Sequence, residues 1–78
     1  MRSAIEQYVI DQVREKRIAK KASQAELALK LGFESTAQIG GIESSNPEST
    51  ESYNVDHINE IAKILDCSPK NFWPEKPL

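Results

Sequence analysis

The chain has 78 residues, 38% hydrophobic and 28% charged, a composition that indicates one small globular domain rather than a disordered segment. Its net charge of −2 argues against a general nucleic-acid coat or a membrane-surface peptide. A single cysteine excludes an internal disulfide and a cysteine-cluster metal site, and no apolar run reaches the roughly 20 residues that span a bilayer.

The first residues predict an amphipathic helix. Ile5, Val9 and Val13 recur every four residues, which places them on one helical face, and helix-favouring residues continue to about position 20. Glu6 and Asp11 interrupt the apolar residues, so we do not expect this segment to be the core of a signal peptide. We therefore expect a cytoplasmic protein.

A second helix is predicted to begin at Ser23 and to end at Gly32. Ser23 and Glu26 have the spacing of a capping box, in which each side chain bonds the backbone N–H of the other residue. Glycine adopts the left-handed conformation that ends a helix at little steric cost. The sequence therefore bounds this helix at both ends.

A third helix is predicted to begin at Ser35, with Ile39 and Ile42 facing inward. The glycine pair at positions 40 and 41 lowers its intrinsic stability, so we expect it to depend on tertiary packing. Residues 44–52 are polar and rich in serine, which predicts a surface loop.

A fourth helix is predicted to begin after Asn54, and Ser68 followed by Pro69 predicts a short final turn. The fourth helix carries apolar residues at helical spacing, namely Ile58, Ile61, Ala62 and Leu65. We expect Phe72 and Trp73 to close the core from below. The sequence predicts helices throughout and no strand.

Two short helices joined by a tight turn are typical of a helix-turn-helix motif. The residues that carry it here are Ser23-Gln24-Ala25-Glu26-Leu27-Ala28, Leu31-Gly32-Phe33 and Ile39-Gly40-Gly41-Ile42-Glu43. Together with residues 58–69, they resemble the Cro/phage-repressor-like (XRE-type) family of bacterial and phage DNA-binding domains. The resemblance covers residues 13–72, with the helix-turn-helix itself at 23–44 and a tail at 74–78. It implies an all-α, compact, five-helix lambda-repressor-like domain over residues 1–78.

The resemblance also implies a mechanism, in which the second helix crosses the phosphate backbone and the third enters the major groove of duplex DNA. Gln24 would bond a phosphate, and the Gln38 amide would suit adenine. The residue set expected to bind DNA is Lys20, Lys21, Gln24, Ser35, Thr36, Ala37, Gln38, Gly41, Ser44 and Asn46, with Ser45 in the same loop. The family pattern further implies that Arg17 pairs with Glu43 to tie the first helix to the third.

The charge distribution leaves a second interpretation open. Residues 1–30 hold seven basic and four acidic residues, whereas residues 31–78 hold three basic and eight acidic ones. No lysine or arginine lies within residues 31–62, although DNA affinity depends largely on cations that neutralise phosphates. The alternative to a DNA-binding regulator is therefore a helix-turn-helix scaffold whose acidic face binds a protein partner.

The expected regulator is a small repressor or antitoxin-like protein that binds DNA as a homodimer. The best dimer surface by sequence is the C-terminal segment with Phe72, Trp73 and Leu78. An enzyme finds no support, because the chain has one histidine, no glycine-rich phosphate loop and no nucleophile with a base at suitable spacing. The sequence predicts no cofactor, no metal and no membrane partner.

Overall fold

Four α-helices and one 3₁₀ helix make up the fold. The structure, a computed structural model, describes residues 1–44, 46 and 48–78. The helices are α1 (Ala4–Ala19), α2 (Gln24–Leu31), α3 (Thr36–Glu43), α4 (Val55–Ile64) and the 3₁₀ helix (Pro69–Phe72). No strand occurs in the described residues, so the predicted all-α class is confirmed. The short final turn predicted at Ser68 and Pro69 is present as a four-residue 3₁₀ helix, with Ser68 at its N-cap, so the described residues form four α-helices and not five.

The helix starts follow local hydrogen bonds that the sequence indicates. Ser23 Oγ accepts from the Glu26 N–H at 3.0 Å, as predicted. The reciprocal half of that capping box is wrong, because the Glu26 carboxylate instead receives the Ser23 hydroxyl at 3.4 Å. At α4, Asn54 Oδ1 accepts from the His57 N–H at 2.7 Å, and His57 Nδ1 accepts from the Asn54 N–H at 3.3 Å. His57 therefore occupies the capping position that usually holds a glutamate or a glutamine.

The end of α2 is set by Gly32, as predicted. Its φ of +79° is left-handed, and its N–H bonds the carbonyl oxygens of Ala28 and Leu29. The chain then reaches α3 within a few residues, which brings the two helices together as neighbours. A tight helix–turn–helix unit is thus present at residues 24–43.

One core joins all five elements. Each contributes a side chain with 0% exposure, namely Val13, Leu27, Ile39, Ile61 and Phe72. Each such burial stabilises the fold by about 1.5–3 kcal/mol relative to an exposed side chain. The predicted inward residues of α3, Ile39 and Ile42, are both buried, so the packing fixes which face of α3 points outward.

The prediction for Phe72 is only partly confirmed. It closes the core as predicted, but with 0% of its surface exposed it cannot also form part of a dimer surface. Trp73 was expected to close the core with Phe72, and this prediction is wrong, because Trp73 is 42% exposed. Trp73 and Leu78, which is 67% exposed, are the members of the predicted C-terminal surface that face solvent. Trp73 lines a mostly apolar cleft of about 80 Å³ together with Ile5, Glu6, Val9 and Tyr53.

Candidate nucleic-acid interface

The first turn of α3 is open to solvent. Ser35, Thr36, Ala37 and Gln38 are all exposed, and so is Asn46, whereas Ser44 and Gly41 are half-buried. Ser45 belongs to the loop expected near a phosphate but lies outside the described residues. The predicted reading helix therefore presents its N-terminal end, on which small and neutral polar side chains are exposed.

The Arg17–Glu43 pair that the resemblance implied is present. Arg17 Nε donates to Glu43 Oε2 at 2.8 Å, and Nη2 donates to Oε1 at 2.8 Å. Arg17 Nη1 also donates to the carbonyl of Ala22 at 2.8 Å. The side chains of Arg17 and Glu43 are only 10% and 3% exposed, and the hydrogen bonds to Glu43 raise the pKa of Arg17. The pair ties α1 to the end of α3 and to the turn that precedes α2.

Gln24 joins this buried pair. Its Nε2 donates to Glu43 Oε1 at 3.0 Å, which connects the first residue of α2 with the last residue of α3. Arg14 Nε lies 3.8 Å from the same oxygen. A phosphate that recruits the Gln24 amide nitrogen must therefore compete with a carboxylate that already accepts from Arg17.

The Gln38 side chain caps the N-terminus of α3. Its Oε1 accepts from the Glu34 N–H at 2.9 Å and from the Ser35 N–H at 3.4 Å. The expected contact with adenine uses both the oxygen and the nitrogen of the amide. With the oxygen committed to the helix cap, only the nitrogen is available to a base in this conformation. The Ser35-x-x-Gln38 spacing of a capping box was a sequence signal for this role.

Arg2 is a structural residue of the site that sequence reasoning missed. It makes six hydrogen bonds of 2.6–3.2 Å, to the carbonyls of Gly41, Ile42, Ser44 and Glu51 and to the side chains of Gln7 and Ser49. The last turn of α3 has no basic residue of its own, so Arg2 supplies the cation that a helix C-terminus favours. Arg2 fastens the N-terminal segment to α3 and to the following loop.

Glu51 is the second residue that was missed. A Cβ placed on Gly41 would lie 2.7 Å from both oxygens of the Glu51 carboxylate, which is closer than real Cβ atoms approach. The glycine therefore leaves room for this carboxylate on the outer side of α3. Gly41 belongs to the residue set expected to bind DNA, and the group that lies against it in the structure is a side chain of the same chain. A glycine within a helix, such as Gly41, is a sequence signal for a close contact at that position, but it does not identify the residue that makes the contact.

α3 has no lysine or arginine of its own, and three exposed lysines lie in the segments that precede it. Lys20 and Lys21 lie in the turn between α1 and α2, within one helical turn of Arg17 along the chain, and Lys30 lies in the last turn of α2. Lys21 adopts φ +58°, a left-handed conformation that is uncommon outside glycine. Arg17, three residues before Lys20, binds the last residue of α3. Lys30 precedes the turn that leads to its N-terminal end.

Two further observations concern the described residues as a whole. They contain no cluster of three or more histidine, cysteine, aspartate or glutamate side chains suited to hold a metal ion. Among their helices, none combines the length and the apolar composition needed to cross a bilayer.

Comparison with known proteins adds no relative. Neither the models of known protein families, nor the curated proteins, nor the solved structures contain a match to this chain.

Proposed function

We propose that the chain is a small sequence-specific DNA-binding transcriptional regulator, with a lambda-repressor-like fold of the Cro/phage-repressor type. The observation that carries the proposal is the helix–turn–helix unit at residues 24–43, whose second helix exposes its first turn. In this arrangement α2 crosses the phosphate backbone while the N-terminal end of α3 enters the major groove. Thr36, Ala37 and the Gln38 amide nitrogen face the bases, and Ser44 and Asn46 approach a phosphate.

In this proposal, the side chains that neutralise DNA phosphates are exposed lysines of the segments before α3. Lys20, Lys21 and Lys30 are exposed, whereas Arg2 and Arg17 are committed to hydrogen bonds within the protein. Three neutralised phosphates correspond to a slope of about −2.7 in a plot of log affinity against log salt concentration. This is a modest electrostatic contribution, so a single copy of the chain binds weakly and a homodimer on paired half-sites is the functional form. Trp73 and Leu78 are the exposed apolar residues proposed for that dimer surface.

The test is fluorescence anisotropy against a random-sequence duplex as the salt concentration rises. A Lys20→Gln/Lys21→Gln variant should bind all sequences more weakly and lower the slope by about 1.8, because two phosphate contacts are lost. The matched control is Lys63→Gln/Lys70→Gln, which removes the same charge from α4 and the 3₁₀ helix and should leave the slope unchanged. Failure of the wild-type chain to bind at low salt would overturn the proposal, since low salt favours any phosphate-binding protein.

A protein-interaction module is the second candidate function. The observation in its favour is the absence of lysine and arginine from residues 31–62, combined with the Glu51 carboxylate on the outer side of α3. A basic segment of a partner protein would fit this surface by charge. An arginine-rich peptide should then bind the wild-type chain in the same assay and bind less tightly to Glu34→Gln, which removes an exposed charge at the turn before α3.

A further inference from the structure

The outward side of α3 is flanked by two side chains from other segments. Ile39 and Ile42 face the core, so Ala37 and Ser44 point most directly away from it. On one flank, Gln24 Oε1 lies 3.7 Å from the position of a Cβ on Gly40. On the other flank, the two oxygens of Glu51 lie 2.7 Å from the position of a Cβ on Gly41. A ligand that contacts the outward side of α3 therefore meets an amide on one side and a carboxylate on the other.

The main chain of Glu51 is held in this place by Arg2. Arg2 Nε donates to the Glu51 carbonyl at 2.7 Å, while Nη2 donates to the carbonyls of Gly41 and Ile42 at 3.1 and 2.6 Å. The guanidinium of Arg2 thus binds the last turn of α3 and also the backbone of Glu51, whose side chain lies against Gly41. The position of Glu51 beside α3 follows from a fixed backbone and from the missing side chain of Gly41.

The Glu51 carboxylate has capacity to accept hydrogen bonds from a ligand. Within residues 1–44, 46 and 48–78 it forms no ion pair and receives no hydrogen bond. A carboxylate is an acceptor only, so it repels phosphates and the acceptor atoms of bases, and it binds donors. The donors that base pairs present in the major groove are the N4 amino group of cytosine and the N6 amino group of adenine.

We propose that Glu51 is a specificity-determining residue that accepts a hydrogen bond from the N4 amino group of a cytosine beside Gly41. The inference rests on the proposed DNA-binding function. Cytosine is favoured over adenine because the adenine amino group lies next to N7, an acceptor that repels a carboxylate. The acidic residue beside α3 then selects one base and disfavours the others. The expected preference for cytosine at that position is about fivefold or more.

The test is selection of preferred sites from a library of duplexes randomised at their centre. The wild-type chain should select cytosine at one position of each half-site, and Glu51→Gln should shift that position toward adenine, because an amide offers both a donor and an acceptor. Glu48→Gln is the matched control: it removes one charge from an exposed residue of the same loop and should keep the cytosine. Gly41→Ala should also lose the cytosine preference, since its Cβ displaces the carboxylate while the charge stays.

The outcomes separate this inference from the function on which it rests. Salt-dependent DNA binding with the same base preference in wild type and Glu51→Gln would overturn the role of Glu51 and leave the DNA-binding function standing. An equal gain of affinity for every sequence in Glu51→Gln would also overturn it, because simple repulsion would explain the result. A wild-type chain that neither selects a site nor binds at low salt would overturn both.

Discussion

Removal of the Glu43 carboxylate should destabilise the fold more than loss of a surface ion pair. In Glu43→Ala the guanidinium of Arg17 stays buried without its carboxylate partner. Both Arg17 bonds to Glu43 are lost, and so is the bond from Gln24. Only the bond from Arg17 Nη1 to the Ala22 carbonyl survives.

The expected magnitude follows from the burial of this pair. With side-chain exposures of 10% and 3%, Arg17 and Glu43 belong with buried ion pairs, for which loss of one partner costs about 3–5 kcal/mol. A 78-residue domain has a total stability of about 4–12 kcal/mol, so this loss is a large fraction of it. At about 4 °C or more per kcal/mol, the melting temperature should fall by at least about 12 °C.

Urea unfolding followed by far-ultraviolet circular dichroism would measure the change, with an unchanged m-value as the sign that the unfolded state is comparable. An Arg17→Met/Glu43→Leu double variant should be more stable than either single variant, because apolar side chains of similar volume remove the buried charge altogether. A loss below about 1 kcal/mol in Glu43→Ala would refute the reasoning, since that is the range of exposed ion pairs.

Three further predictions concern the N-terminal segment and the core. Arg2→Ala should lower the free energy of unfolding by about 2 kcal/mol and speed amide exchange in the last turn of α3, whereas Lys30→Ala should leave that turn protected. The Glu6 carboxylate accepts hydrogen bonds from the Ser3 backbone N–H, which has the largest effect, and from the Ser52 and Ser3 hydroxyls. These bonds hold the pKa of Glu6 below the ordinary 4.5. The resulting stabilisation is present at neutral pH and is lost as the pH falls through the lowered pKa. The stability difference between wild type and Glu6→Gln should therefore shrink in acid, and Glu15→Gln is the control that removes one charge elsewhere on α1. Tyr53→Phe should stabilise the protein by about 1 kcal/mol in thermal unfolding, because the buried hydroxyl has no hydrogen-bond partner among the described residues. Burial raises the pKa of Tyr53 above the ordinary 10.0. Above pH 10.0 the tyrosine therefore ionises in the unfolded chain but not in the folded one, which lowers the free energy of unfolding, and this loss should be smaller in Tyr53→Phe. A Tyr53→Phe variant that is less stable than wild type would contradict the prediction.

Much of the fold could be predicted because the helix boundaries depend on contacts between neighbours in sequence. The bonds that begin α2 and α4 join residues only three positions apart, and Gly32 ends α2 through its own backbone conformation. The apolar spacing of α3 likewise placed Ile39 and Ile42 in the core. The cap formed by Gln38 was also readable from its spacing, although the amide was assigned to a base instead.

The candidate site was less predictable because its key contacts join distant positions. The Arg17–Glu43 pair followed from a family pattern, whereas nothing local pointed Gln24 toward the same carboxylate, 19 residues away. Phe72 was expected both to close the core and to form part of a dimer surface, and the packing buries it completely. The chemistry of a side chain limits which groups it can bind, but the tertiary packing determines which of those groups it contacts.

The sequence by itself determined an all-helical domain, its helix boundaries, its core-facing residues and a chain whose cations are concentrated in its first 30 residues. The tertiary structure decided that Arg2 caps α3 from 39 or more residues away and that Glu51 lies against Gly41. The physical reason is that helix formation rests on bonds across three or four residues, whereas the surface around α3 is assembled from three separate segments. Their side chains meet only after the core has fixed where each segment lies.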